Sequence, residues 1–121
     1  MKIDFLADTN FFIYIFEGNP NIENFLDYNF GISFISEIEL LGYHNLTSND
    51  EELLKSIIND CYYFDFNNHI KNKTIELRKK VRIKLPDALI AATAIVNNLP
   101  LITADKGFEI IEQLDLILID F

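Results

Sequence analysis

The sequence predicts an α/β fold, a three-layer α/β/α arrangement with a mostly parallel central sheet. Short apolar segments alternate with segments of helical periodicity along the whole chain, which is typical of strand–helix units rather than hairpins. The apolar segments also lack the strict alternation of a half-exposed strand, so helices should cover both faces of the sheet. The chain has 121 residues, of which 50% are hydrophobic, and we expect one domain spanning residues 1–121.

The first third of the chain is predicted to form two strands separated by helices. Lys2 to Ala7 is the first strand, and the polar residues that follow it are suited to capping a helix. That helix contains Phe11 to Phe16, which is apolar on every side and is expected to be buried all round or against another chain. Gly18 and Pro20 end it and start the next helix. Gly31 to Ile35 is predicted to be a buried strand.

Two helices in the middle of the chain are predicted from capping-box spacing, in which a hydroxyl residue precedes an acid by three positions. The first box is Ser36 with Glu39, and the second is Ser48 with Glu51. The aromatic segment Tyr62 to Phe66 is expected to follow the second helix as a strand.

The second half of the chain continues the alternation. Asn67 to Arg82 is predicted to be a long, mostly exposed helix. Pro86 is favoured at the first position of a new helix, Asp87 to Asn97, whose alanines allow close approach to a sheet. Pro100 to Thr103 is predicted to be a buried strand, and after a turn and a short helix the segment Leu116 to Ile119 should form the last strand.

The charge of the chain is strongly polarised. The formal net charge is −9, which taken alone argues against a nucleic-acid partner, because phosphate binding usually requires a basic surface. Seven of the ten basic residues lie in one short segment, however: Lys71, Lys73, Arg78, Lys79, Lys80, Arg82 and Lys84. Such a run is either a solvated helix face or a surface that contacts a phosphate backbone.

Several classes of protein are disfavoured by what the sequence lacks. The single cysteine, Cys61, cannot form an internal disulfide, and the longest apolar block has six residues, too few to cross a bilayer. We therefore expect a cytoplasmic protein without a membrane partner. His44 and His69 have no partner at metal-ligand spacing and are expected at the surface. The four glycines form no phosphate loop or dinucleotide fingerprint.

Four acidic residues are predicted at the carboxyl ends of the strands, where open α/β sheets bind their ligands. They are Asp8, Glu39, Asp87 and Asp105. A cluster of carboxylates is electrostatically costly unless a cation neutralises it, and Mg²⁺ or Mn²⁺ prefers such oxygen ligands. Ions of this kind activate water for attack on a phosphodiester. Each acid taken alone is better explained as a helix cap than as a functional residue.

Three segments, FLADTN, ISFISEIELLG and LPDALIAATAIVNNLPLITADKGF, resemble the PIN domain of VapC-type toxins. The resemblance extends along nearly the whole chain, and the third segment is its most specific part. It implies a metal-dependent endoribonuclease of the hydrolase class that cleaves RNA phosphodiester bonds as the toxin of a toxin–antitoxin pair.

The resemblance also implies the roles of individual residues. The metal-binding acids would be Asp8, Glu39, Asp87 and Asp105, with supporting roles for Thr9, Asn10, Ser36 and Thr103. The acid of the family's second segment directly precedes a leucine, which selects Glu39 over Glu37, although helical phase does not decide between them. Some relatives carry Asn at the fourth position and another acid about three residues further on, where this chain has Gly107 and Phe108. Asp105 would then serve alone.

The partners implied are an RNA substrate, a cognate antitoxin and a second copy of the chain. The apolar helix containing Phe11 to Phe16 is the expected interface, because an exposed apolar patch usually marks one. RNA is expected to contact Lys79, Lys80 and Arg82. Two alternatives stay open: a PIN-fold protein that binds RNA or a partner without cleaving, against which the four acids count, and a nuclease that acts on DNA.

Overall fold

The computed structural model describes Lys2 to Asp120 and is built on a five-stranded parallel sheet. The strands are β1 (Phe5–Ala7), β2 (Phe30–Ser33), β3 (Tyr62–Phe64), β4 (Leu101–Thr103) and β5 (Leu116–Leu118). Their order across the sheet is β3-β2-β1-β4-β5, and all four neighbouring pairs are parallel. The predicted parallel sheet is therefore confirmed. Successive strands are added on one side of β1 and then on the other, so the carboxyl ends of β1 and β4 form a topological switch point.

Helices cover both faces of this sheet, which confirms the three-layer α/β/α fold. They are α1 (Thr9–Phe16), α2 (Phe34–Leu41), α3 (Ser48–Asn59), α4 (Asn68–Lys80) and α5 (Leu85–Val96), with 3-10 helices at Pro20–Phe25 and Lys106–Ile110. Leu6 and Leu101 pack with α4 and α5 on one face. Phe5, Ala7 and Ile102 pack with α1 and α3 on the other. Within residues 2–120, no helix is long and apolar enough to cross a membrane.

The start of α2 differs from the prediction. Strand β2 ends at Ser33, whose hydroxyl accepts a hydrogen bond from the backbone N–H of Ile35 (3.3 Å) and caps the helix. Ser36 is buried inside the helix, so the predicted strand to Ile35 and the predicted capping box of Ser36 with Glu39 are wrong. Phe34 and Ile35 are apolar, which predicts that they continue the strand, but in the structure they pack from the helix against the core formed with α5.

The start of α3 also lies one residue earlier than predicted. The capping box is formed by Thr47 and Asp50, with the Asp50 N–H donating to the Thr47 hydroxyl at 3.1 Å. Ser48 and Glu51 have the same spacing in the sequence, so spacing alone could not distinguish the two pairs. The extended backbone of Thr47 (φ −73°, ψ 164°) makes it the residue outside the helix.

The helix boundaries around the basic segment are shifted as well. Helix α4 ends at Lys80 because Val81 is extended (φ −136°, ψ 156°), so the predicted helix to Arg82 is two residues too long. Helix α5 begins at Leu85, which places Pro86 at the second helical position and Asp87 still in the first turn. Proline is tolerated there because N–H groups in the first turn have no intrahelical partner.

The apolar helix α1 is better covered than the sequence predicts. Phe11 and Phe12 are 1% and 0% exposed, and the four residues from Ile13 to Phe16 are half-buried. Helices α2 and α3 contact α1 in addition to the sheet. Of the two expectations for this helix, burial all round describes α1 better than an exposed apolar face, because neighbouring helices cover what the small sheet cannot.

Candidate active site

A cleft of about 370 Å³ opens at the carboxyl ends of β1 and β4, where the order of the strands reverses. It is lined by Asp8, Thr9, Asn10, Ile13, Glu39, Gly42, Tyr43, His44, Asp87, Ile90 and Asp105. All four acids predicted from the sequence lie on this one cleft. Among its lining residues, all within the described part of the chain, there is no lysine or arginine to balance their charge.

Asp8 is the most buried of the four acids, with 4% of its surface exposed. It caps α1, and its Oδ1 accepts a hydrogen bond from the Phe11 N–H at 3.0 Å. Its Oδ2 accepts one from the Thr103 hydroxyl at 2.5 Å. Burial nevertheless raises the pKa of Asp8 from 3.8 to about 6, with smaller contributions from the charges of Asp105 and Asp87. A negative charge at Asp8 is therefore unfavourable in the protein alone.

Asp87 lies in the first turn of α5 and is half-buried. Partial burial raises its pKa, and the neighbouring charges of Asp105 and Glu39 raise it further, while Lys84 acts in the opposite direction. Because Asp105 raises the pKa of both Asp8 and Asp87, the acids are close enough to repel one another.

The structure places Glu39 and Glu37 on different sides of α2. Glu39 lies on the cleft, and its Oε1 accepts a hydrogen bond from the Thr9 hydroxyl at 2.6 Å. That hydroxyl is also 2.9 Å from the hydroxyl of Ser36, which is fully buried. Glu37 instead accepts a hydrogen bond from the Tyr63 hydroxyl at 2.9 Å. Thr9 and Ser36 therefore position Glu39 at the cleft.

Asp105 follows β4 and caps the second 3-10 helix, where its Oδ1 accepts a hydrogen bond from the Gly107 N–H at 2.8 Å. The Asp105 N–H donates to the Thr103 hydroxyl at 3.0 Å. One threonine hydroxyl thus connects the backbone of Asp105 to the carboxylate of Asp8. Phe108 is buried in the core and Gly107 has no side chain, so Asp105 is the acid that this segment brings to the cleft.

A family model described as the PIN domain matches residues 5–114. The chain belongs to the PIN-domain family. No curated protein is significantly similar to this PIN domain in sequence.

Solved structures similar to this PIN domain come from toxin–antitoxin systems. A chain of a toxin–antitoxin complex from Klebsiella pneumoniae is 28% identical, with a TM-score of 0.81 over 94% of this chain and 96% of that one. VapBC2 from Rickettsia felis, bound to a DNA fragment from its promoter, is 25% identical, with a TM-score of 0.85 over 98% and 100%. VapBC-1 from Haemophilus influenzae shares the fold at 23% identity, with a TM-score of 0.79 over 96% and 98%.

Two residues of the cleft that could contact a substrate through aromatic rings were not predicted from the sequence of this PIN domain. Tyr43 and His44 follow α2 and line the cleft. His44 is exposed, as expected, but it was not expected beside the acids. The signal that could have found them is their distance of four and five residues from Glu39, about one helical turn. His69 is exposed on α4, as predicted.

The donor set of the cleft fits a hard divalent cation. Within residues 2–120, no three acid, histidine or cysteine side chains stand close enough to form a compact metal cage. Mg²⁺ does not require one, because it usually binds one or two carboxylates and keeps waters and substrate oxygens as its other ligands. A cation would also stabilise the ionised forms of Asp8 and Asp87, which burial disfavours.

Proposed function

We propose that this PIN domain is a divalent-metal-dependent endoribonuclease and the toxin of a toxin–antitoxin pair. The observation that carries the proposal is the convergence of four carboxylates, two of them with raised pKa values, on one cleft whose lining residues include no lysine or arginine. PIN-domain nucleases hydrolyse nucleic acids, and the similar structures from Klebsiella and Rickettsia belong to toxin–antitoxin complexes. RNA as the substrate rests on the resemblance of the three sequence segments to VapC-type toxins.

The proposed ligands of Mg²⁺ or Mn²⁺ are Asp8, Glu39, Asp87 and Asp105, one or two of them directly and the others through bound waters. When bound, the ion supplies a water of lowered pKa and neutralises charge on the scissile phosphate. The chain's own part is positioning. The Thr103 hydroxyl and the Phe11 N–H hold the two oxygens of Asp8 in place. The Thr9 hydroxyl does the same for one oxygen of Glu39, and Asn10 lies on the cleft within reach of a substrate.

Cleavage of a labelled single-stranded RNA by the purified protein tests this proposal. We expect hydrolysis with Mg²⁺ or Mn²⁺, none in excess chelator, and recovery when the metal is restored, because the acids alone carry no activated water. Equal activity in chelator would contradict the metal mechanism. Cleavage of DNA in preference to RNA would favour the alternative of a DNA nuclease. Binding of RNA without cleavage would favour the alternative of a PIN-fold protein that binds RNA but does not cleave it.

The basic segment between Lys71 and Lys84 is proposed as the region that binds the RNA backbone. Lys73 and Lys80 pair with Glu76 at 2.9 and 3.3 Å, so their charge is partly neutralised. Lys79 and Arg82 form no ion pair within the described residues, and they line a shallow groove with Arg78. The segment leads into the cleft, because Lys84 acts electrostatically on Asp87.

Replacing Lys79, Lys80 and Arg82 together by Ala is expected to weaken RNA binding and its dependence on salt. The slope of log Kd against log salt should fall by roughly 0.7 for each phosphate of a single strand that is no longer neutralised. Turnover at saturating RNA should fall much less, because the acids are untouched. Binding titrations at several salt concentrations measure the effect, with Lys2→Ala/Lys55→Ala as a control on other surfaces. Unchanged binding at every salt concentration would show that the segment is only a solvated face.

The protein partners are proposed to be an antitoxin and a second copy of the chain. An apolar cavity of about 370 Å³ adjoins the acid cleft and shares Ile13, Tyr43 and His44 with it. It extends between α1, α2 and α3 along Phe16, Leu40, Leu46 and Leu54, and an apolar segment of the antitoxin would occupy it. Light scattering that shows a stable monomer would contradict the dimer.

A further inference from the structure

Tyr43 differs from the other exposed aromatic side chains of the protein. Five aromatic residues within the described chain are exposed: Tyr28, Tyr43, Tyr62, Tyr63 and Phe66. Four of them contact another aromatic ring or donate a hydrogen bond to a carboxylate. The partners are Phe5 for Tyr28, Phe64 for Tyr62, Glu37 for Tyr63 and Phe34 for Phe66. Tyr43 is 54% exposed and has no such partner within residues 2–120.

The position of Tyr43 is coupled to that of the proposed metal-binding acids. It follows Gly42, whose N–H closes the last turn of α2 on the Ile38 carbonyl at 2.9 Å. Tyr43 is therefore about one helical turn beyond Glu39, and both side chains lie on the cleft. Asn45 has a left-handed backbone (φ 64°), which turns the chain away toward α3. Tyr43 and His44 are left as one wall of the cleft.

We propose that Tyr43, flanked by His44, is a stacking platform for one unpaired base of the substrate. This inference rests on the proposed function and specifies its substrate as a single-stranded nucleotide. The acids and a bound metal ion would contact the phosphate. Another group in the cleft is therefore needed to hold the nucleoside. An aromatic face can hold any base, because every base has a π-face. A base within a duplex is already stacked and paired, and it would have to leave the helix to reach Tyr43.

The geometry favours a nucleotide over a protein side chain at Tyr43. The ring lies on the acid cleft, where the reacting phosphate must bind, and the nucleosides attached to that phosphate must lie within a few ångströms of it. Tyr43 and His44 also border the apolar cavity beneath α1 and α2. A partner peptide in that cavity could touch the same two residues, and the kinetics of Tyr43 variants in the absence of any partner protein distinguish the two occupants.

The test compares three variants in steady-state cleavage of an RNA hairpin with a single-stranded loop. Tyr43→Ala should lower kcat/KM about tenfold, mostly through KM, because the base can no longer stack on a ring. Tyr43→Phe should keep the parent value, because the ring alone is needed. Tyr62→Ala removes a similarly exposed tyrosine (49%) that lies away from the cleft and should have no effect. Circular dichroism confirms that each variant is folded.

The parent protein should also cleave the loop and leave the same sequence intact when it is placed in the stem. Equal kcat/KM for Tyr43→Ala and the parent would overturn the proposal. Contact with a protein partner would then be the better explanation of the exposed Tyr43 ring. Equal cleavage of loop and stem would overturn it as well. Failure of the parent to cleave any RNA would overturn the proposed function itself, a result distinct from a selective effect of Tyr43.

Discussion

Replacing Asp8 by Asn is expected to remove nearly all cleavage activity and, in chelator at neutral pH, to make the protein more stable. The amide removes the charge that would hold the cation, so kcat/KM should fall on the order of a hundredfold to a thousandfold. The local structure should survive. Asparagine is a good helix cap and can accept the hydrogen bond from the Phe11 N–H, and the Thr103 hydroxyl can accept one from the new amide.

The gain in stability follows from the raised pKa of Asp8. Since folding raises this pKa from 3.8 to about 6, the protonated carboxyl is favoured in the folded state. The stability that the protonated Asp8 carboxyl gives to the folded state is fully present below about pH 4. It is lost as the pH rises through about 6. At pH 7.5 the ionised group costs about 3 kcal/mol relative to the protonated one. Asparagine does not titrate, so the free energy of unfolding of Asp8→Asn should exceed that of the parent increasingly from pH 4 to pH 6.5.

Denaturant unfolding in chelator at several pH values measures this difference. Adding Mg²⁺ should then reduce the difference in free energy of unfolding between the variant and the parent. The ion binds the folded parent and stabilises it, whereas the variant lacks the carboxylate that would hold the ion. Asp87→Asn should lose activity to a similar degree, while Asp27→Asn, an exposed aspartate away from the cleft, should keep it. Full activity of Asp8→Asn or Asp87→Asn would show that these acids do not hold the catalytic ion.

The second large effect is expected from a matched pair of substitutions on α2. Glu39→Gln should lower kcat/KM about a hundredfold, because Glu39 lies on the cleft and is held there by Thr9. Glu37→Gln makes the same chemical change two residues earlier and should lower it by less than about twofold. In that variant the amide oxygen of the introduced glutamine can still accept the hydrogen bond from the Tyr63 hydroxyl.

Both glutamine variants keep the length and helix propensity of the side chain, so equal thermal unfolding temperatures are expected. Any difference in activity between them then comes from the loss of a carboxylate at the cleft. Steady-state cleavage of one RNA substrate at fixed Mg²⁺ measures the pair. A larger loss for Glu37→Gln than for Glu39→Gln would show that the wrong glutamate was assigned to the site.

Local patterns were sufficient to predict the fold class and the general place of the site. Strand–helix alternation predicts a parallel sheet because parallel strands need crossover connections, and such a sheet gathers the carboxyl ends of its strands at one edge. Asp8 and Asp105 could be placed at that edge because each follows a predicted strand closely. The resemblance to the PIN family added the choice of Glu39, which helical phase alone left open.

Other features depend on interactions between residues far apart in the chain. The hydrogen bond from Thr103 to Asp8 joins positions 95 residues apart, and the burial that raises the pKa of Asp8 comes from the assembled core. The cover on α1 comes from α2 and α3, and its extent does not follow from the composition of Phe11 to Phe16. The exact caps, Ser33 and Thr47, depended on which residue of a repeated pattern became extended.

The sequence by itself determined the architecture and supplied the carboxylates on which the proposed chemistry rests, because hydrophobic periodicity and the identity of side chains are local properties. Only the tertiary structure decided that Tyr43 and His44 form a wall of the cleft, which hydroxyl groups hold Asp8 and Glu39 in place, and how strongly Asp8 resists ionisation. Those outcomes depend on side-chain direction, burial and the distances between charges. These quantities exist only once the strands and helices have packed together.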